Sequence, residues 1–247
     1  MKNIPLSEGA FTVDKTKQFV AFDKNKDDLQ QRSTGSLLVE VQPFCIVTKN
    51  DIIVIDTGLG FTDKEGVLQI HQNLLNNGIN PMDVTQVLMS HLHKDHSGGV
   101  SIEDKVLHQR FVNFPHAMYY VNKDELAFGL DKANTSYHPE DFDILTKTDK
   151  VIFTEGNGII DGYIRYEVTG GHSPFHQVFW IEEEDKIIFF GGDVAPQLQQ
   201  MKSRFIAKYD FNGKKCMELR QQWWQTGQQQ KWTFLFYHDI KTPFFAF

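Results

Sequence analysis

Apolar and polar positions along the chain fall into two rhythms. Residues 36–41 (SLLVEV), 44–48 and 51–55 (DIIVI) are β-branched runs, punctuated by Pro43, by Lys49–Asn50 and by Asp56-Thr57-Gly58, and they read as three consecutive short strands. A helix is expected next. Thr62 and Glu65 fit a capping box, Val67, Leu68, Ile70, His71, Leu74 and Leu75 share one face at helical spacing, and Gly78 and Pro81 stop it. Residues 87–90 (VLMS) read as a buried strand running straight into HLHKDHSGG. Helices are expected near 122–130 and 138–147, strands near 151–153, 163–169, 177–182 and 186–191, a helix near 213–226, and a last strand, WTFLF, before His238. Strands come before helices in each of two successive halves. An α/β arrangement of two facing sheets with helices outside accommodates that order. Without a repeat, a low-complexity tract or a linker, residues 1–247 read as one domain.

Charge and composition narrow the classes of partner. The formal net charge is −7, and no cluster of lysine and arginine stands out, so no nucleic-acid partner is expected. A small-molecule substrate is expected instead, and a phosphorylated one is compatible with this balance. No apolar run is long enough to span a bilayer, so no membrane partner is expected. The start, MKNIPLSEGAF, lacks the basic segment and apolar stretch of a secretory signal, which predicts a cytoplasmic protein. The two cysteines, Cys45 and Cys216, form no CxxC pair and read as buried thiols in a reducing compartment. Phenylalanine, at 21 residues, exceeds what one core needs. Some of these rings, the final FFAF foremost, are expected to line a substrate pocket or a homodimer contact.

The chemistry concentrates in His91-Leu92-His93-Lys94-Asp95-His96 and the adjoining Ser97-Gly98-Gly99. Three imidazoles and a carboxylate within six residues are the ligand types of zinc and similar divalent ions. A tight loop at a strand end can aim His91 and His93 at one point and turn Asp95 and His96 toward another, with the glycines allowing the sharp turn. Six residues cannot saturate two ions. Three further candidates each come after an apolar strand: His172 after Gly170-Gly171, Asp193 after Gly191-Gly192, and His238 after FLF and one tyrosine. Ser97 and Ser173 adjoin the histidines and read as loop hydrogen-bonders rather than nucleophiles. His71, His108, His116 and His138 have no partner spacing and read as core-edge or surface residues.

HLHKDH resembles the HxHxDH signature of the metallo-β-lactamase superfamily. The other marks occur in family order: Asp56 in IDTG, His172, Asp193 and His238, over roughly residues 36–240. The resemblance implies a four-layer αβ/βα sandwich of two facing mixed sheets with helices outside. It implies one metal on His91, His93 and His172, a second on Asp95, His96 and His238, and Asp193 bridging both. The ions would be zinc, with manganese, iron or nickel as other occupants. Asp56 would orient a ligand histidine or its loop, and it also suits a turn beside Gly58. His176, in GHSPFHQ, would support the site without ligating. Phe175 stands there where similar hydrolases carry glycine.

The activity implied by the resemblance is hydrolysis, by a hydroxide that a dinuclear metal centre generates from water. Asp193 is expected to be catalytic as the bridge, and Asp95 as the carboxylate that steers a proton to the leaving group. Asp193 stands where thiolate-using β-lactamases have cysteine, and His93 where flavodiiron-type carriers have glutamate. Similar short members include acyl-homoserine lactonases, organophosphate hydrolases and thioesterases. The lactonases carry a tyrosine where this chain has Pro196, and the thioesterases carry basic residues near a C-terminus that here reads KTPFFAF. The expected substrate is an ester- or lactone-type small molecule. Alternatives are a thioester or phosphoester at the same site, or sulfur oxidation by a mononuclear-iron oxidoreductase.

Overall fold

In the computed structural model, which describes residues 1–104 and 106–247, two six-stranded mixed sheets face each other. The first runs Lys2–Pro5, Phe44–Val47, Ile52–Ile55, Gln86–Leu88, Met118–Asn122, Val151–Thr154, with its last three pairings parallel. The second runs Gly158–Ile160, Ile164–Val168, Gln177–Glu183, Lys186–Phe190, Thr233–Leu235, Phe244–Ala246, antiparallel except between Lys186–Phe190 and Thr233–Leu235. A three-stranded sheet of Gly9–Val13, Phe19–Ala21 and Leu37–Val41 sits beside them, with a small hairpin of Ser101–Asp104 and Gln109–Val112.

Side-chain alternation sorts these strands into layers. Phe44, Ile46, Ile53 and Ile55 of the first sheet pack between the sheets against Phe179, Ile181, Ile188 and Phe190 of the second. The intervening residues Cys45 and Val54 face the other way, onto Ile70 and Leu74 of the helix Gln69–Asn76 and Leu126 of the helix Lys123–Lys132. Val178, Trp180 and Phe189 likewise face outward, onto Cys216 and Trp223 of the helix Gly213–Gln230. Helix, sheet, sheet, helix is the four-layer sandwich expected.

The strands read from β-branched runs all form, within a residue or two. The first helix begins later than the capping pattern predicts, at Gln69. Thr62 instead bridges to Leu68, and the Asp63 carboxylate accepts the Glu65 and Val67 N–H groups, making a turn that leaves Val67 exposed. Leu75, expected on the buried face, is also exposed. The segment 138–147 breaks into a short helix, Pro139–Phe142, and a 3₁₀ turn, Asp143–Thr146. Met118–Asn122 and the strands before residue 37 carry too little β-branched pattern to read in advance.

Cys45 and Cys216 are both buried and unpaired. The tail strand Phe244–Ala246 closes an edge of the second sheet, and Phe245 and Phe247 pack on Trp224 at 5.4 and 4.7 Å. It does not line the main cavity, so the pocket role expected for FFAF is not realised. Among the described residues, no helix is long and apolar enough to cross a membrane.

Candidate metal centre

Every expected ligand lies just beyond the end of a strand, on one rim of the sandwich. His91, His93, Asp95 and His96 come after Gln86–Leu88, His172 after Ile164–Val168, Asp193 after Lys186–Phe190 and His238 after Thr233–Leu235. The HLHKDH loop is fastened by backbone against backbone. Thr57 N–H and its hydroxyl both donate to the His96 carbonyl, at 2.7 and 2.9 Å. A Cβ on Gly99 would stand 2.2 Å from the Thr57 carbonyl oxygen, and one on Gly98 2.4 Å from that of Leu59. Only glycine permits that approach.

Donor atoms converge into three groups, each within 4.8 Å: His91, His93 and His172; His91, His96 and Asp193; Asp95, His96 and His238. Asp193 spans them. Its Oδ1 lies 3.1 Å from His96 Nε2 and 3.0 Å from His238 Nε2, while Oδ2 lies 3.3 Å from His172 Nε2. Asp95 Oδ2 is 3.5 Å from His238 Nε2 and 3.7 Å from His96 Nε2.

The outward nitrogens are already engaged. His96 Nδ1 donates to Asp56 at 2.8 Å, His172 Nδ1 to Asp210 at 2.8 Å, and His238 Nδ1 to the Glu40 carbonyl at 2.7 Å. Those bonds fix the tautomer and leave each Nε2 lone pair facing inward. There His93 Nδ1 meets His91 Nε2 at 3.0 Å and His172 Nε2 at 3.1 Å. Among the described residues, His96 Nε2 and Asp193 Oδ1 are buried and, though 3.1 Å apart, make no well-formed hydrogen bond. Converging lone pairs and an orphaned carboxylate oxygen are costly in a protein interior unless a cation sits among them. The residues present therefore fit a divalent metal.

Electrostatics agree. Burial pushes the His91 and His93 imidazoles well below the ordinary histidine value, so both are neutral ligand forms. Burial lifts the Asp193 carboxyl, but His238, His96 and His172 outweigh it and hold the group well below the usual carboxylate range. Burial also opposes charge on His96, yet Asp193, Asp95 and Asp56 push its value well above ordinary, and His238 is raised by Asp193 in the same way.

Asp56 both shapes a turn and holds the His96 ring. It adopts φ +56°, the left-handed turn conformation, and its carboxylate accepts from Ser90 N–H, from the Ser90 hydroxyl and from His96. His176 belongs to none of the three donor groups. Its Nε2 accepts the Asp193 N–H at 3.2 Å, aligning the shared carboxylate. Phe175 keeps a negative φ, so no glycine is needed there, and its ring packs on Phe128. Ser97 donates to the Leu92 and His93 carbonyls, and Ser173 to Glu125. Of the unassigned histidines, His108 and His116 are exposed while His71 and His138 are half-buried.

Three further residues leave little or no sign in the sequence. Asp210 holds His172 from a loop with no recognisable pattern. Buried Glu125 looks like an ordinary first-turn helix acid, yet it accepts from Leu92 N–H, Tyr137 and Ser173, tying two ligand loops together. Tyr237 stacks on His96 at 4.0 Å and donates to the Asp95 carbonyl; its adjacency to His238 is the one available signal.

A family model described as the metallo-beta-lactamase superfamily matches residues 39–222. The chain belongs to this superfamily. Among solved structures that share the superfamily fold with this chain, a probable metal-dependent hydrolase from Staphylococcus aureus superposes with a TM-score of 0.79 at 22% identity, covering 99% of this chain and 91% of that one. AidC, a dizinc quorum-quenching lactonase in complex with a product, gives 0.72 at 18% identity, with 98% and 88% covered. An atrochrysone carboxyl ACP thioesterase of Pseudocercospora fijiensis is 29% identical over 165 residues, 67% of this chain. The chain spans 40% of the length of that curated relative.

A cavity of about 590 Å³ opens over the centre. His93, Asp95, His172, Asp193 and His238 form its floor, and Val13, Phe19, Leu37, Val39, Phe128, Pro196, Tyr209 and Phe211 supply much of its wall.

Proposed function

We propose that this chain hydrolyses the ester or lactone bond of a small apolar acyl compound at a dinuclear metal centre, with zinc as the first candidate metal. One observation carries the reading. Side chains from four loops gather seven sets of donor atoms beneath a largely apolar cavity, five of the seven residues lining it. His91, His93 and His172 would hold one ion, Asp95, His96 and His238 the other, with Asp193 shared between them. Divalent ions bound there supply Lewis acidity toward an acyl oxygen and make water acidic enough to be a nucleophile near neutral pH.

The chain's own residues do the rest. His176 and Asp210 hold Asp193 and His172 in place through the bonds described above. Tyr237 fixes the Asp95 backbone, and the Asp95 carboxylate lines the cavity, where it can pass a proton to the leaving atom. Val13, Phe19, Val39 and Phe211 take up an acyl chain and exclude water around it. A thioester is the second reading, favoured by the fungal relative, itself a thioesterase.

Metal analysis of the purified protein, combined with ester, lactone, thioester and phosphoester substrates sharing one acyl or alkyl group, tests the proposal. Two ions per chain and preferred turnover of the carboxylic compounds are expected. Full metal loading with no turnover would sink it, and a single iron with oxygen consumption would place the protein among the oxidoreductases. Asp193→Ala is expected to lose at least about a thousandfold in kcat/KM and part of its metal, while circular dichroism stays native. Near-normal turnover in that variant removes the shared carboxylate from the mechanism.

A further inference from the structure

The cavity wall carries cations that a net charge of −7 does not foreshadow. Three lysines line it, from three separate segments: Lys17 between the strands Gly9–Val13 and Phe19–Ala21, Lys94 inside HLHKDH, and Lys132 at the end of the helix Lys123–Lys132. Each ammonium group lies over an aromatic ring of the same wall. Lys17 Nζ is 5.9 Å from the Tyr209 ring centre, Lys94 Nζ 5.8 Å from Phe19 and Lys132 Nζ 5.4 Å from Phe128. A ring face steers a lysine without neutralising it.

Among the described residues neither Lys17 nor Lys94 has an ion-pair partner, and Lys132 has only its neighbour Asp131, at 3.8 Å. The carboxylates on the wall, Asp95, Asp193 and Asp210, are all engaged with the imidazole cluster. Lys17 shares the wall with Lys94, which also lies near the Asp95 and Asp141 carboxylates. Lys17 is held there with φ +60°, a conformation disfavoured for lysine. Like charges facing one apolar space repel unless an anion lies between them. An uncharged lactone or alkyl ester makes no use of this arrangement.

We propose that the natural substrate is an amphipathic acyl compound bearing a carboxylate or phosphate away from the cleaved bond, its anionic end held by Lys17, Lys94 and Lys132 and its apolar part lying against Phe19, Phe128 and Tyr209. This rests on the hydrolase reading above and narrows it.

The test uses the metal-loaded chain of residues 1–247. It compares octanoyl thioesters and esters whose leaving groups differ only in a neutral, carboxylate or phosphate terminus. Lys17→Gln/Lys132→Gln and Lys17→Arg/Lys132→Arg are assayed beside the native chain, with Lys94 left in place because it sits between two candidate ligands. The anionic members are expected to be preferred by about tenfold or more in kcat/KM. That preference should collapse in the glutamine pair, persist in the arginine pair, and shrink as salt rises from about 0.05 to 0.5 M. The carboxylate and phosphate arms show which anion the site takes. Equal kcat/KM for neutral and anionic members, or a preference that the glutamine pair does not move, overturns the inference and leaves the hydrolase reading standing. If no member turns over at full metal loading, the hydrolase reading fails instead. Calorimetry with octane-1-sulfonate, a poor metal ligand, against uncharged 1-octanol then decides the lysine site by itself. Tighter sulfonate binding by about tenfold, lost in the glutamine pair, supports it, and equal affinities overturn it.

Discussion

His96 carries the logic of the centre in one side chain. Its outer nitrogen is committed to Asp56 and its inner one faces the Asp193 and Asp95 carboxylates, so its position is set before any ligand arrives. His172 stands in the same relation to Asp210, which predicts that Asp210→Asn weakens metal binding by about 10- to 100-fold while leaving the fold intact. Competition titration with a chromogenic chelator measures it; unchanged affinity would remove Asp210 from the centre. The raised values of His96 and His238 set the sign of the pH effect. Without a metal, protons supply the positive charge that the Asp56, Asp95 and Asp193 carboxylates require, so metal and protons compete for the inner nitrogens. Metal affinity is therefore expected to fall as pH is lowered, and metal uptake to release protons. Dialysis at successively lower pH and then metal analysis checks this, and retention independent of pH would contradict it.

Among the elements, the loops count for more than the strands that carry them. Loop 57–60 and loop 96–99 lie backbone on backbone, and at Gly60, Gly98 and Gly99 a Cβ would run into the facing main chain. Gly99→Ala would press a methyl group into the Thr57 carbonyl, with no flexible side chain able to yield. We expect it to cost about 3 kcal/mol of stability and to lower metal content as His96 shifts, measured by denaturant unfolding and metal analysis. A variant with native stability would show that the loops separate easily. The same scale explains why the first helix starts late. Thr62–Glu65 has the residues of a capping box, but Asp63 accepts two nearby N–H groups and makes a turn before a helix can nucleate.

For the whole molecule, the two faces of each sheet divide the labour. Between the sheets lies a core of alternating aliphatic and aromatic residues, outside them the helices, and along one rim the ends of strands from both sheets meet at the metal centre. The aromatic tail belongs to this architecture and not to the cavity. Removing residues 243–247 is expected to lower the melting temperature by several degrees, because Trp224 and Phe234 lose the Phe245 and Phe247 rings, while leaving KM within about twofold. A large KM change with native stability would return the tail to the substrate site.

The sequence by itself determined the superfamily and the layered α/β plan, and it singled out seven side chains whose donor atoms the structure gathers in one place. Ligand identity is local chemistry, histidine and aspartate beside glycine at strand ends, and strand-ending glycine and β-branched runs are legible in one dimension. Tertiary structure alone decided what surrounds them. Asp210, Glu125 and Tyr237 act through neighbours 38, 33 and 142 positions away. The lysines of the cavity wall come from three separate segments, so one cavity collects cations that the sequence scatters. Contacts of that kind depend on where sheets and loops bring distant residues together, and residue order carries no local mark of them.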